Sequence, residues 1–240
     1  MSKNKVAFWS ALLLSILSIC VNICLVSVLF LQQTPDTNKV FSDSLKSVVE
    51  LKASSGSIGE SIGTAVFVSS DGLLVTNAHV VTYEISDKVY TFDEYAIRFA
   101  DSDEYLAANL LDFDKQLDIA TLKIDNSKSK SIKITNSKNI KYGDTVYSIG
   151  NSLNQGISIM KGVVSNPLLL LDYGNYSREV IRCDLTITEG NSGGALVNEK
   201  GELIGITTFR LKDKSGNIEY GIAYCIPSNV VTKYISDNVN

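Results

Sequence analysis

Beyond Val40 the chain rarely sustains the 3.6-residue apolar rhythm of a helix. It breaks instead into short β-branched and aromatic runs divided by turn residues. The clearest pair is 64–68 and 73–76, joined through Ser69-Ser70-Asp71-Gly72, whose Asp-Gly is a hairpin signal. Runs of the same kind lie at 47–51, 95–99, 105–111, 119–124, 145–149, 158–164, 180–185, 195–197, 203–209 and 221–226. About a dozen strands at this spacing fit two small barrels or sandwiches, and 240 residues suffice to bury a sizeable core. One helix is expected over about 229–237. Pro227-Ser228 starts it, Ser228 is a good N-cap, and Val230, Val231 and Tyr234 supply its apolar face.

The N-terminus obeys a different rule. Residues 6–31 carry no charge, and at about 1.5 Å per residue a helix of that length exceeds the roughly 30 Å hydrocarbon core of a bilayer. A cleaved secretory signal is the rival, but it would end in small residues, and this run leaves through Val28-Leu29-Phe30-Leu31-Gln32. Leu17-Ser18-Ile19-Cys20 only half matches a lipoprotein signal, because Ile19 stands where a small residue belongs. An uncleaved anchor is therefore expected at 6–31, after a cytoplasmic 1–5 and before a linker at 32–46. Lys3, Lys5 and the terminal amine precede the span, while Asp36, Lys39, Asp43 and Lys46 balance after it. The positive-inside tendency then puts the soluble part across the membrane, outside the cytoplasm. Cys20 and Cys24 share one helix face and could pair or carry acyl groups; they read more simply as small apolar residues of a span.

Composition removes several functions. A net charge of -4 and a pI near 5.1 leave no basic footprint for nucleic acid. Four cysteines without CxxC or His-rich spacing suggest neither a disulfide scaffold nor zinc, and no cofactor or metal is expected. There is one histidine, His79, so any chemistry that needs imidazole must pass through it.

Three places could carry chemistry. Gly190-Asn191-Ser192-Gly193-Gly194 is a turn of the kind that projects a hydroxyl while backbone N–H groups converge beside it, although glycine-rich turns also arise by chance. Thr76-Asn77-Ala78-His79-Val80-Val81 ends the predicted hairpin and holds the imidazole. Leu117-Asp118-Ile119-Ala120-Thr121-Leu122 opens an apolar strand with a carboxylate, which is costly unless something donates to it. Beside His79, Asp118 could orient the ring and stabilise the imidazolium. Asp112 and Asp114 are rivals that read as solvated loop residues.

The strings TNAHVV, LDIATLKI and GNSGGALV, in the order His, Asp, Ser, resemble the chymotrypsin-fold serine peptidases, most nearly the HtrA/Deg branch. The likeness runs from about Ser47 through GTAVFVSSDGLLVTNAHVV to YGIAYCIPSN. It implies an all-β fold of two six-stranded antiparallel barrels, at about 47–137 and 143–227, with the C-terminal helix, in a peptidase domain over 47–240. Carried over by residue, it implies a triad of His79, Asp118 and Ser192, with an oxyanion hole from the N–H groups of Gly190 and Ser192. Ile187, Thr207, Thr208 and Phe209 would border the primary pocket, Thr186 would lie near its base, and Glu189 and Arg210 could flank its entrance. None of the bordering residues is charged, so small-to-medium apolar side chains are expected at the cleaved position.

Two departures matter. Asn191 stands where digestive peptidases have an Asp that pairs with a newly cut N-terminus, so activation by that route is not expected. Asn240 follows the last helix closely, so no PDZ domain is expected in this chain. Homo-oligomers, trimers among them, are common in the HtrA/Deg branch, but no residue here argues for one. Cys183 and Cys225 fall on strands that pair in the family's second barrel, as a disulfide or as two reduced core residues. Asn175-Tyr176-Ser177 matches a glycosylation acceptor. The expected partners are protein or peptide substrates and, through the anchor, membrane lipid. A catalytically silent binding module on the same fold, and an esterase or acyl transferase with the same triad, are the alternatives.

Overall fold

The computed structural model describes residues 3–31, 37–56, 58–125, 129–173, 176–209 and 221–239. Two units separate, at 1–37 and 38–240. The first is dominated by one helix, α1 (Lys3–Leu31), whose stretch Lys5–Ser27 has a mean hydropathy of 2.3 and side chains exposed throughout. Apolar residues cover every face, as in a helix whose surroundings are themselves apolar.

The second unit begins with a short helix, α2 (Thr37–Leu45), in the segment that the sequence reading leaves as a linker. It forms because Phe41 and Leu45 find apolar partners; the ring of Phe41 meets Tyr147 edge-on at 4.4 Å between centroids. Then come fourteen strands among the described residues: β1 (Val48–Ser55), β2 (Gly59–Phe67), β3 (Leu73–Thr76), β4 (Thr82–Ile85), β5 (Lys88–Thr91), β6 (Glu94–Phe99), β7 (Leu106–Asp114), β8 (Ile119–Lys123), β9 (Thr145–Asn151), β10 (Ile157–Tyr173), β11 (Tyr176–Asp184), β12 (Ala195–Asn198), β13 (Leu203–Phe209) and β14 (Ala223–Pro227). A four-residue helix, α3 (Ala78–Val81), follows β3, and α4 (Ser228–Asn238) ends the described chain.

Twelve of these strands close into two antiparallel barrels, in the orders β1-β2-β3-β8-β7-β6 and β10-β11-β14-β13-β12-β9. Closure pairs each barrel strand with a neighbour on both sides over part of its length. Each barrel has an apolar interior, around Phe67, Leu74 and Ile97 in the first and Ile181, Leu196 and Ile204 in the second. A third cluster joins them: Val48, Val66, Val75 and Ile119 of the first barrel pack with Ile149, Ile206 and Ile226 of the second and with Val231 and Tyr234 of α4. The seam between barrels is thus as dry as their interiors, which fixes the relative position of groups that each contributes.

The remaining pair, β4 and β5, is a hairpin turning through Ser86 and Asp87, both at positive φ, as a two-residue turn of primed type requires. Ser228 is not the N-cap of α4. Pro227 takes that position without a side-chain cap, and the buried Ser228 hydroxyl instead donates to Thr135 O at 2.6 Å.

Candidate active site

β3 and β8 pair antiparallel, with Thr76 opposite Ala120. The residues that follow β3 and those that precede β8 therefore emerge together at one end of the first barrel. His79 arrives there on α3 and Asp118 in the turn before β8. Both Asp118 carboxylate oxygens lie 3.0 Å from His79 Nδ1, and Oδ1 also accepts the His79 backbone N–H at 3.1 Å. Asp118 has φ +58, a left-handed conformation that is uncommon outside glycine but that Asp tolerates in turns. Here Asn77 Nδ2 fixes the turn by donating to Asp118 O at 2.9 Å. Asp118 is almost fully buried while the His79 side chain is 48% exposed, so the acid is sheltered and the ring is open to an incoming molecule. Burial pushes the Asp118 pKa up, but the His79 imidazole and hydrogen bonds from His79 and Thr208 more than offset it, leaving the carboxyl below its ordinary range.

Ser192 belongs to the second barrel, in the turn before β12. Gly190 and Gly193 sit at φ +88 and +84, where side chains are disfavoured, and the space is also taken. A Cβ on Gly190 would lie 2.0 Å from Asn151 O, and one on Gly193 would lie 2.0 Å from Thr64 O. The turn is clamped from both barrels. Thr64 of β2 donates its backbone N–H to Ser192 O at 2.8 Å and its hydroxyl to Gly190 O at 2.7 Å, while Thr64 Oγ1 accepts from Asn151 N at 2.9 Å. Thr207 of β13 donates its hydroxyl to Asn191 O at 2.7 Å, and Leu153 N–H holds Glu189 O at 2.8 Å. Among the described residues, neither the Gly190 nor the Ser192 backbone N–H has a protein acceptor.

Thr208, the neighbour of Thr207 on β13, connects the two halves. Its hydroxyl donates to Asp118 Oδ2 at 2.5 Å, and its carbonyl accepts the Ser192 hydroxyl at 2.9 Å. His79, Asp118, Thr208 and Ser192 thus form one continuous hydrogen-bonded chain, although the serine hydroxyl itself turns to Thr208 O rather than to the imidazole. A carboxylate-oriented imidazole linked through Thr208 to an alcohol, with two N–H donors on the alcohol's own turn that engage no described acceptor, can support attack on a carbonyl and hold the oxyanion that results.

The other sequence-predicted residues vary. Ile187 is buried in the core of the second barrel. Thr207 is fully buried, and its hydroxyl also donates to Gly194 O at 3.1 Å. Thr186 is exposed. Phe209 closes β13 opposite Tyr224, and Glu189 enters through its carbonyl. Arg210 and Asn175 lie outside the described residues. Asp112 and Asp114 are not solvated loop residues. They end β7 half-buried, where Asp112 Oδ2 accepts the Tyr234 hydroxyl at 2.7 Å and Asp114 Oδ1 accepts Leu117 N–H at 2.9 Å. Cys183 and Cys225 are buried free thiols on the paired strands β11 and β14. Among the described residues no cluster of three or more His, Cys, Asp or Glu side chains could hold a metal ion.

Sequence reasoning missed Thr64, the bridging part played by Thr208, and Arg178. The last is a buried arginine on β11 whose Nη1 lies 3.7 Å from Asp118 Oδ2. Its signal was a cation two residues before the fully buried Val180, and so on the same strand face, where a charge is expensive unless paired.

Residues 63–206 match the family described as Trypsin-like peptidase domain. The chain is 37% identical over 184 residues to the periplasmic serine endoprotease DegP of Escherichia coli K12, an alignment covering 74% of this chain and 36% of DegP. It spans about a third of the length of the curated relatives it matches. Among solved structures it resembles the HtrA-type protease AlgW with tripeptide, at TM-score 0.73 and 30% identity, covering 85% of this chain and 63% of that one. AlgW with decapeptide gives TM-score 0.72 at 27% identity, covering 85% and 67%.

Proposed function

Because the chain belongs to the trypsin-like peptidase domain family, we propose that it is a membrane-anchored serine endopeptidase that cleaves accessible or unfolded proteins outside the cytoplasm, in the manner of HtrA/Deg quality-control or processing enzymes. In this reading Ser192 attacks the scissile carbonyl, and His79 takes the hydroxyl proton and returns it to the leaving amine. Asp118 orients the ring and stabilises the imidazolium. The Gly190 and Ser192 N–H groups stabilise the oxyanion, an effect of roughly 3–4 kcal/mol per donor. Water then hydrolyses the acyl-enzyme by the same route. The observation that carries the proposal is the hydrogen-bonded chain from His79 through Asp118 and Thr208 to Ser192, which draws on both barrels.

By the resemblance we assign Ile187, Thr207, Thr208 and Phe209 to the border of the primary pocket, the first three as buried residues that shape its wall, and this favours small-to-medium apolar residues at the cleaved position. A dominant preference for Lys or Arg in a peptide-library profile would overturn that assignment. The anchor rests on the charge-free, mostly apolar stretch 6–31 of α1 and on Lys3 and Lys5 at the start of that helix. Recovery of the full-length chain in the soluble fraction after cell lysis would count against it. The central test is Ser192→Ala. Casein hydrolysis and labelling by a serine-directed phosphonate should both disappear while the unfolding temperature stays close to that of the parent. Undiminished hydrolysis by that variant would refute the mechanism.

A further inference from the structure

Resting on the peptidase reading above, we propose that Glu50 is a positioning residue for the oxyanion turn, acting on it through Asn151. In the strand register Glu50 of β1 stands opposite Thr64 of β2 on one side and Arg98 of β6 on the other, so the three side chains share one face of the first barrel. That face meets the end of β9. Thr64 Oγ1 accepts the Asn151 backbone N–H, and beside it Glu50 Oε2 accepts Asn151 Nδ2 at 2.6 Å. Glu50 and Asn151 are both buried. The carboxylate's other partners belong to its own barrel: Arg98 Nη2 donates to Oε2 at 3.0 Å, and the Tyr105 hydroxyl donates to Oε1. Arg98 already supplies the counter-charge, so the bond that crosses to the second barrel is not needed to neutralise the glutamate. What that bond does is fix Asn151.

Asn151 matters because of what it carries. Its Oδ1 accepts the Gly156 N–H at 2.8 Å, which closes the connection between β9 and β10 over two consecutive left-handed residues, Leu153 at φ +54 and Asn154 at φ +58. Contacts from this connection hold the stretch that leads into Ser192. Leu153 N–H donates to Glu189 O at 2.8 Å, and the Ser152 and Thr188 hydroxyls share a hydrogen bond of 2.6 Å. Asn151 O lies directly against Gly190, 2.0 Å from where a Cβ on that residue would stand. The Asn151 carboxamide is thus gripped at both ends, by Glu50 and by Gly156, while the backbone of the same residue forms the floor under Gly190. Without Glu50, Nδ2 becomes a buried donor lacking its acceptor, and an amide that turns to find another also lets go of Gly156. The turn would then present the Gly190 and Ser192 N–H groups over a spread of positions, where oxyanion stabilisation requires fixed ones.

Three substitutions in the full-length protein, kept in detergent micelles, test this. Glu50→Leu removes the acceptor, and kcat per phosphonate-titrated site on a fluorogenic peptide should fall about tenfold with KM changed much less. Glu50→Gln should retain most of the parental kcat, because its amide oxygen can serve Asn151 and Arg98 from the Oε2 position while its NH2 donates to the Tyr105 oxygen. Tyr105→Phe removes a bond to the same carboxylate without touching Asn151, and its kcat should stay within about twofold of the parent. Should the leucine variant not fold, Glu50→Thr, too short to reach Nδ2 but favoured in strands, takes its place. A second readout needs no turnover. In a Ser192→Ala background, the amides of Asn191, Gly193 and Gly194, which donate to Thr188 O, Thr207 O and Asn191 O, should exchange faster with deuterium in Glu50→Leu, while peptides from β7 and β8 keep the parental rate. A folded leucine variant with parental kcat and parental exchange at the turn would overturn the proposal. So would a loss of kcat in Tyr105→Phe equal to that in Glu50→Leu, since the cluster would then matter only as a whole. A parent chain that hydrolyses nothing would refute the peptidase reading, and the exchange rates would still decide whether Glu50 holds the turn.

Discussion

Replacing Thr64 by valine tests how the catalytic turn is held. Valine keeps the shape of threonine and its β-branched strand preference, and the backbone bond from residue 64 to Ser192 O survives. The hydroxyl does not. Gly190 O loses its 2.7 Å donor and Asn151 N–H its 2.9 Å acceptor, both in a place without exposure to water. A buried polar group left without a partner costs about 1–3 kcal/mol, so two should lower stability by about 2–6 kcal/mol. A domain near the middle of the ordinary range of about 5–15 kcal/mol stays folded after such a loss. For catalysis the ceiling is set by complete removal of one oxyanion donor, about 10²–10³ in kcat. A turn that is loosened rather than removed should lose about 10- to 100-fold, with KM changed much less. Rates on a fluorogenic peptide, normalised to sites titrated by phosphonate, give kcat, and thermal unfolding gives stability. Thr64→Ser, which restores the hydroxyl, should recover most of both. A valine variant with parental kcat per titrated site and parental stability would refute the clamp.

Other outcomes follow from the same geometry. Gly190→Ala adds a Cβ that would lie 2.0 Å from Asn151 O at a backbone angle side chains disfavour, so hydrolysis should fall by at least about 100-fold; kcat per titrated site checks it. Because the folded Asp118 carboxyl titrates below its ordinary range, its stabilising contribution is complete above the unfolded value near 4 and is lost as pH falls through the lower folded value. The stability gap between the parent and Asp118→Asn, measured by urea unfolding, should therefore be constant near neutrality and narrow below about pH 4. Burial, with Cys183 alongside, pushes the Cys225 thiol well up. Neither thiol should react with iodoacetamide in the native chain, and both should react after denaturation, as read by mass.

The strands were legible because they carry local signals, their closure into two barrels came only through the family resemblance, and the three motifs were legible because each is contiguous. What escaped depends on partners distant in sequence. α2 is weakly patterned and exists because Phe41 and Leu45 meet the apolar cluster that includes Tyr147, about a hundred residues away. The sequence run at 158–164 ends at Val164, yet β10 continues past Asn166-Pro167 to Tyr173. Register shifts on either side of Asn166 admit the proline without ending the pairing. The β4–β5 hairpin, Tyr83 and Tyr90 stacked across it, lacked a glycine to mark its turn. Within the site, the resemblance marks Thr208 as a border of the primary pocket and gives no sign of its bridging part. Only the docking of β13 against the first barrel puts its hydroxyl on Asp118 and its carbonyl under Ser192.

The bond between the Ser192 hydroxyl and Thr208 O works as a latch, and its strength bounds what it can do. One neutral hydrogen bond contributes about 1 kcal/mol net, so it can hold back the nucleophile by a factor of about five to ten and no more. Such a catch softens idle reactivity without providing a true off state. Durable silence in this molecule would have to come from dislocating the glycine turn or from keeping substrates away from it.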